Sequence, residues 1–215
     1  MYQIVFLLLG SFLCISCSQN HTAKHNLPFY NEPTFTPIFE NDKYEIGKKV
    51  SHTVGNFSCL NQDSVVINQA FLKGKIHVAN FIFTACGSIC PTMTKHLKLI
   101  SDSVYNKEDI ILLSYSVTPW IDKPHVLKKY KEWNGIENKN WHFLTGNKGD
   151  IYKLARQSYF AEEDIGYSKD STEFLHTEHF VLVDKRRRIR GIYNGTLMLE
   201  MHQLLLDIRI LSSEE

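Results

Sequence analysis

Net charge is nearly absent from this 215-residue chain: 24 Lys and Arg face 23 Asp and Glu, a formal charge of +1. Nothing in that balance points to nucleic acid or to a strongly acidic partner. Internal repeats are absent too, which excludes solenoids and propellers. Cysteine is scarce and odd in number: Cys14, Cys17, Cys59, Cys86 and Cys90. A chain of this size needs no disulfide scaffold, and an odd set cannot form a closed one. The apolar run at residues 5–13 falls short of the roughly 20 residues that a membrane-spanning helix requires.

What is present is a core. Apolar residues make up 43% of the chain, which separates it from disordered sequences. The length suits one domain with an N-terminal extension. The run at 5–13 has the character of a secretory h-region. The residues after it, Cys14-Ile15-Ser16-Cys17-Ser18, resemble a bacterial lipoprotein processing site, in which small Ser16 precedes an acylated Cys17. Plain signal cleavage without lipid is the alternative. Two or three acyl chains on Cys17 would meet the two-anchor requirement for stable membrane attachment. Residues 1–17 are therefore read as a signal segment ending in a lipidated Cys17. Residues 18–50, with Pro28, Pro33 and Pro37, are read as a tether and extended lead-in, and 51–215 as the folded domain. The expected location is extracytoplasmic, on the periplasmic side, anchored to a bacterial membrane.

From residue 51 the pattern is regular. Residues 65–67 form a short strand candidate, and 76–83 a near-continuous apolar run of the kind buried on both faces of a sheet. A helix follows, with Pro91 in its first turn and Leu97 and residues 100–104 on its apolar face. Residues 110–117 give a second buried strand, 126–133 a helix ending before Gly135, 141–144 a short strand and 150–159 a helix. Residues 180–183 and 189–193 read as strands of a hairpin, and the apolar positions Leu197, Met201, Leu204, Leu205, Ile208 and Leu211 mark a last helix. The alternation implies an α/β fold: a parallel sheet flanked by helices and made mixed by the closing hairpin. That is the thioredoxin-like plan with an insertion between its halves.

The chemistry centres on Cys86-Gly87-Ser88-Ile89-Cys90-Pro91, where a buried strand hands over to a helix. Ligands of open α/β sheets bind at this carboxyl edge. A thiolate at a helix N-terminus is stabilised by the unpaired N–H groups and the positive end of the dipole. Cysteines four apart on a helical turn have Cα atoms roughly 6 Å apart, which permits a disulfide and also lets both sulfurs reach one metal ion. Two thiolates favour a soft ion such as Cu(I), or zinc or an iron–sulfur cluster. Spacing does not separate redox work from metal binding.

Among ten histidines, His176 is singled out because it precedes residues 180–183, a strand expected beside the first, so that its loop faces the cysteine loop. No proline occurs there, where thioredoxins and peroxiredoxins carry a cis-proline. At these residues the sequence resembles the Sco/SenC family of copper-binding cytochrome c oxidase assembly proteins. The family pattern is Cys-x-x-x-Cys-Pro after a buried strand, with a distant His eight residues before an Asp that ends the next strand. Here these are Cys86, Cys90, Pro91, His176 and Asp184. The stretch 114–127 also looks like the family, and Asp122 matches an acidic position there. Gly87 replaces a common Pro, Thr118 a common Asp, and Trp120 a usually polar residue. The resemblance implies that Cys86, Cys90 and His176 bind copper as Cu(I) or Cu(II). The copper, or reducing equivalents, would pass to the copper A centre of the oxidase's copper-bearing subunit, or to another copper or thiol carrier. Asp122 would tune the site from outside the ligand set.

Two other readings remain open. An extracytoplasmic thiol–disulfide oxidoreductase would use Cys86 and Cys90 as its catalytic pair, with His176 tuning the thiolate. A peroxidase would want a Thr three residues before the reactive Cys, and Thr84 lies only two before Cys86. His179 and His96 are rival ligands that the spacing disfavours. Cys59 is read as a core thiol, and the basic run 185–190 as a solvated turn.

Overall fold

The computed structural model describes residues 26–162 and 175–214. Seven strands, β1 (Ser58–Asn61), β2 (Val66–Asn68), β3 (Ile76–Ile82), β4 (Ile110–Ser116), β5 (Trp141–Thr145), β6 (His179–Val183) and β7 (Ile189–Asn194), form one sheet in the order β2-β1-β5-β4-β3-β6-β7. β3, β4 and β5 run parallel, and the flanking pairings are antiparallel. Every residue of β3 and β4 is buried, as their near-continuous apolar runs predict.

The two faces follow from strand alternation. Ile76, Val78 and Ile82 of β3 join a core with helices α2 (Ile89–Ser103), α3 (Pro124–Trp133) and α5 (Met198–Ser213). Ala79 and Phe81 face the second core, which contains Cys59, Tyr115, Tyr159 and Ile151 and Tyr152 of α4 (Lys148–Lys153). A buried relay crosses the central strands: the Trp141 indole donates to Ser114 Oγ (2.9 Å), whose hydroxyl donates to Asn80 Oδ1 (2.7 Å). Buried polar groups need such partners, and this one fixes the register of β3, β4 and β5.

Four local features differ from the sequence expectation. The helix expected over 150–159 begins earlier, capped by Asn147, whose side chain accepts from the Asp150 N–H. After Lys153 it widens into a π-helical turn at Leu154–Ser158. β1 was not expected and pairs β2 with β5. The described part of the lead-in contains helix α1 (Lys43–Lys49), N-capped by Asp42, and is bridged to the domain where the Tyr30 N–H donates to Ile189 O (3.2 Å). The basic run is also not wholly solvated. Arg190 is 2% exposed, and its guanidinium donates to Glu214 and to the carbonyls of Leu27 and Pro28. A buried cation persists only when paired in this way.

Candidate functional site

The six residues between β3 and α2 carry the chemistry. The Cys86 N–H donates to Phe83 O (3.2 Å), turning the chain back toward the helix. Ser88 stands at the N-cap of α2, yet its hydroxyl makes no capping hydrogen bond. The Cys86 sulfur takes that part. Its partial burial raises the thiol pKa, but the N–H groups of Cys90, Ser88 and Ile89 and the Cys90 thiol more than offset this, and the net shift is downward. Pro91, with no N–H to offer, sits in the first turn where none is needed.

Cys90 behaves in the opposite sense. It is 5% exposed and belongs to the core shared by α2, α3 and α5. Burial pushes its thiol up to about 12, with the neighbouring Cys86 sulfur adding to the rise. Both cysteines are free thiols. The pair therefore combines a half-buried thiol made more acidic than usual with a buried thiol that keeps its proton.

Asp122 lies fully buried beside this loop. Its Oδ2 accepts from the Ser116 hydroxyl (2.6 Å), the Thr118 hydroxyl (2.8 Å) and the Thr84 N–H (3.2 Å), and its Oδ1 accepts from the Thr84 hydroxyl (2.6 Å). The carboxyl group thereby ties the end of β4 to the chain two residues before Cys86. Thr118, at the position where the family pattern often has Asp, supplies one of the donors. Sequence reasoning did not single out Thr84, Ser116 and Thr118 as a set. Their signal is three hydroxyls that converge only once β3 and β4 are aligned.

His176 is exposed on the loop leading into β6. Val78 pairs with Leu182 and Ala79 with Val181 in antiparallel register, so this loop emerges at the sheet edge where β3 ends and the cysteine loop begins. The imidazole is not gathered with the cysteines: among the described residues no three His, Cys, Asp or Glu side chains form a metal-holding group. His179 Nδ1 lies 3.3 Å from Ala161 O, and His96 Nδ1 lies 2.9 Å from Gly195 O on the α5 side. Cys59 is buried in β1, where desolvation holds its thiol up at about 12. Cys17 lies outside the described residues. Among the described residues no helix is long and apolar enough to cross a membrane.

Known proteins fit this arrangement. The SCO1/SenC family model matches residues 47–209. The chain belongs to the SCO1/SenC family. A SCO1 protein homolog of Bacillus subtilis is 31% identical over 175 residues, covering 79% of this chain and 88% of the relative. The structure of a SCO1/SenC family lipoprotein from Bacillus anthracis superposes with a TM-score of 0.66 at 27% identity, over 77% of this chain and 99% of that one. BsSco, described as a member of the Sco family of cytochrome c oxidase assembly proteins and as having a disulfide switch, gives 0.64 at 30% identity, over 76% and 95%. The copper-bound structure of Bradyrhizobium japonicum ScoI shares the fold, with a TM-score of 0.58 at 20% identity over 75% and 99%. The mixed seven-stranded sheet with flanking helices is thus the thioredoxin-like fold of Sco proteins.

Proposed function

We propose that this Sco/SenC protein is a copper carrier for assembly of the copper A centre of cytochrome c oxidase, with Cys86, Cys90 and His176 as the ligands. The observation that carries the reading is the Cys86 sulfur at an open sheet edge, where the N–H groups of Cys90, Ser88 and Ile89 outweigh its partial burial and lower the thiol pKa. Thiolates suit Cu(I), and an imidazole adds a donor acceptable to Cu(II). The donor set fits a cargo ion, since two sulfurs and one imidazole leave a position through which a partner's ligands enter. Cys90 releases its proton as the ion binds. His176 approaches from the loop at the same edge, and Asp122 holds the cysteine loop in place through Thr84. BsSco's place among oxidase assembly proteins and the copper-bound ScoI support the reading.

A thiol–disulfide oxidoreductase is the second reading, favoured by the unequal thiols. Cys86 is the attacking sulfur of such a pair and buried Cys90 the resolving one. The disulfide switch ascribed to BsSco points the same way. The working unit is proposed to be residues 51–215, held on the periplasmic side of a bacterial membrane by lipid on Cys17. The Bacillus anthracis relative described as a lipoprotein supports that anchor.

Copper stoichiometry and the absorption spectrum of the reduced protein test the first reading. One copper per chain with thiolate-to-Cu(II) charge-transfer bands, lost in Cys86→Ser/Cys90→Ser, is the expected result. His176→Ala is expected to lose Cu(II) affinity while keeping a reducible disulfide. Unchanged Cu(II) binding in that variant overturns the assignment of His176. A folded, reduced protein that retains no copper overturns the carrier in favour of the oxidoreductase.

A further inference from the structure

Two methionines and a histidine share a groove away from the cysteines. Helix α5 opens with Met198-Leu199-Glu200-Met201-His202. Positions i, i+3 and i+4 share one helical face, and these three side chains line a groove between α2 and α5 of about 450 Å³, closed by Leu99, Ile100 and Leu205. Met198 stands at the mouth, 39% exposed, and Met201 at the floor, 1% exposed. Among the described residues, no hydrogen bond or ion pair engages the exposed His202 ring. Asp102, also on the groove, accepts from Lys98 Nζ at 2.8 Å, so its charge is balanced outside the donor set.

We infer that Met198, Met201 and His202 form a second metal site, selective for a monovalent soft ion, Cu(I). Thioethers are soft ligands and select Cu(I), and imidazole is accepted by the same ion. Zinc takes thiolate, imidazole or carboxylate, and this groove offers only one of these free. Uncharged donors beside Leu99, Ile100 and Leu205 favour an ion of single charge, whose desolvation is less costly than that of a divalent ion. The floor donor is an unbranched Met, whose sulfur adapts to irregular gaps. Leu99 lies nine residues beyond Cys90 on α2, about 14 Å along the axis, so the groove is separate from the cysteine loop. The inference rests on these side chains alone and does not depend on the carrier reading.

The test uses the full chain as Cys86→Ser/Cys90→Ser, kept reduced, with ¹³C-labelled methionine methyls, titrated with Ag(I) as a redox-inert probe. Once the remaining thiols are filled, one further ion per chain is expected to shift the methyl signals of Met198 and Met201 and the ring signals of His202 together. The Met93 signal, from a fully buried side chain, is expected to stay in place. Met198→Leu/His202→Gln leaves the buried Met201 untouched and is expected to abolish the Met201 shift. Unmoved Met198 and Met201 signals under excess Ag(I) overturn the proposal, and this readout needs no change on α5. A Met201 shift that survives in Met198→Leu/His202→Gln also overturns it. Failure of copper binding at the cysteines leaves these signals as they are, so the two outcomes are distinct.

Discussion

Replacing Asp122 by Asn removes one acceptor oxygen from a site that receives four hydrogen bonds, at 2.6, 2.6, 2.8 and 3.2 Å. The amide oxygen can take the place of Oδ2 and keep the Ser116, Thr118 and Thr84 N–H donors. The amide NH2 then faces the Thr84 hydroxyl, which must turn and accept instead. Each retained bond passes from charge-assisted to neutral, a loss of about 0.5–1.5 kcal/mol, so the variant is expected to lose about 2–4 kcal/mol. At about 2–4 °C per kcal/mol for a chain of this size, Tm falls by about 5–15 °C. Asp122→Ala strands all four donors in a fully buried position and is expected to lose more. The site should respond beyond stability, because Thr84 is the near anchor of the Cys86 loop. Copper affinity of the folded Asp122→Asn protein is expected to fall about 10-fold or more. Thermal unfolding and competitive copper titration read the two effects separately. A Tm within about 2 °C of the parent, or Asn and Ala variants of equal stability, refutes the hydrogen-bond argument. Lost stability with unchanged copper affinity refutes the positioning of the cysteine loop.

Burial holds His77 down at about 3, with the Arg187 charge adding to it, and His142 down at about 4, with Lys131 and Lys75 adding. An unfolded His titrates near 6.5, so below that value the unfolded chain takes up protons that the folded one refuses. Stability is therefore full above about 6.5 and declines toward pH 3, by about 2 kcal/mol per histidine between pH 7.5 and 5. Urea midpoints across that range check it, and a slope unchanged in His77→Leu/His142→Leu counts against the assignment. Arg190→Ala leaves Glu214 and the carbonyls of Leu27 and Pro28 without this partner and is expected to lose about 3–5 kcal/mol in urea unfolding, with faster proteolysis near residues 27–38. Iodoacetamide at pH 7 is expected to label Cys86 well before Cys90 in the folded protein; equal rates would contradict the unequal thiols.

The sequence disclosed the elements whose signal is local. β3 and β4 are near-continuous apolar runs, and α5 keeps a helical period, so all three were legible. β1 was not, because Ser58-Cys59-Leu60-Asn61 is short and only half apolar, and its strand character comes from pairing with β5. Arg190 read as a solvated charge because its partners, Leu27, Pro28 and Glu214, are remote from the turn in sequence. The π turn at Leu154–Ser158 has no compositional mark. At the site, the Cys86–Cys90 spacing announced a strand–helix junction and the junction is there. The difference between the two sulfurs was not legible, since it depends on which thiol α2 turns into the core. Asp122 was reached through resemblance alone. Its four donors come from two segments, Thr84 after β3 and Ser116 to Thr118 at the end of β4, which no spacing rule brings together.

The unequal thiols also connect the two functional readings. Joining Cys86 and Cys90 removes two electrons and leaves neither sulfur an anionic donor, so only the reduced chain can accept copper through both. On the proposed oxidoreductase reading those electrons would go to an acceptor, the disulfide of a partner protein, whose two sulfurs would become thiols. The Cys86 sulfur would attack that disulfide first, forming a mixed disulfide and expelling the partner's other sulfur. Cys90 would then give up its proton, attack Cys86 and release the partner in reduced form. A partner whose metal site consists of cysteines must itself be reduced before it takes copper. Copper-loaded and copper-free copies of one chain could therefore perform the two steps in sequence, the copper-free copy as reductant and the loaded copy as donor. The burial of Cys90 in the helical core suits both steps. It keeps the second proton in place until either a metal ion or the Cys86 mixed disulfide draws it off.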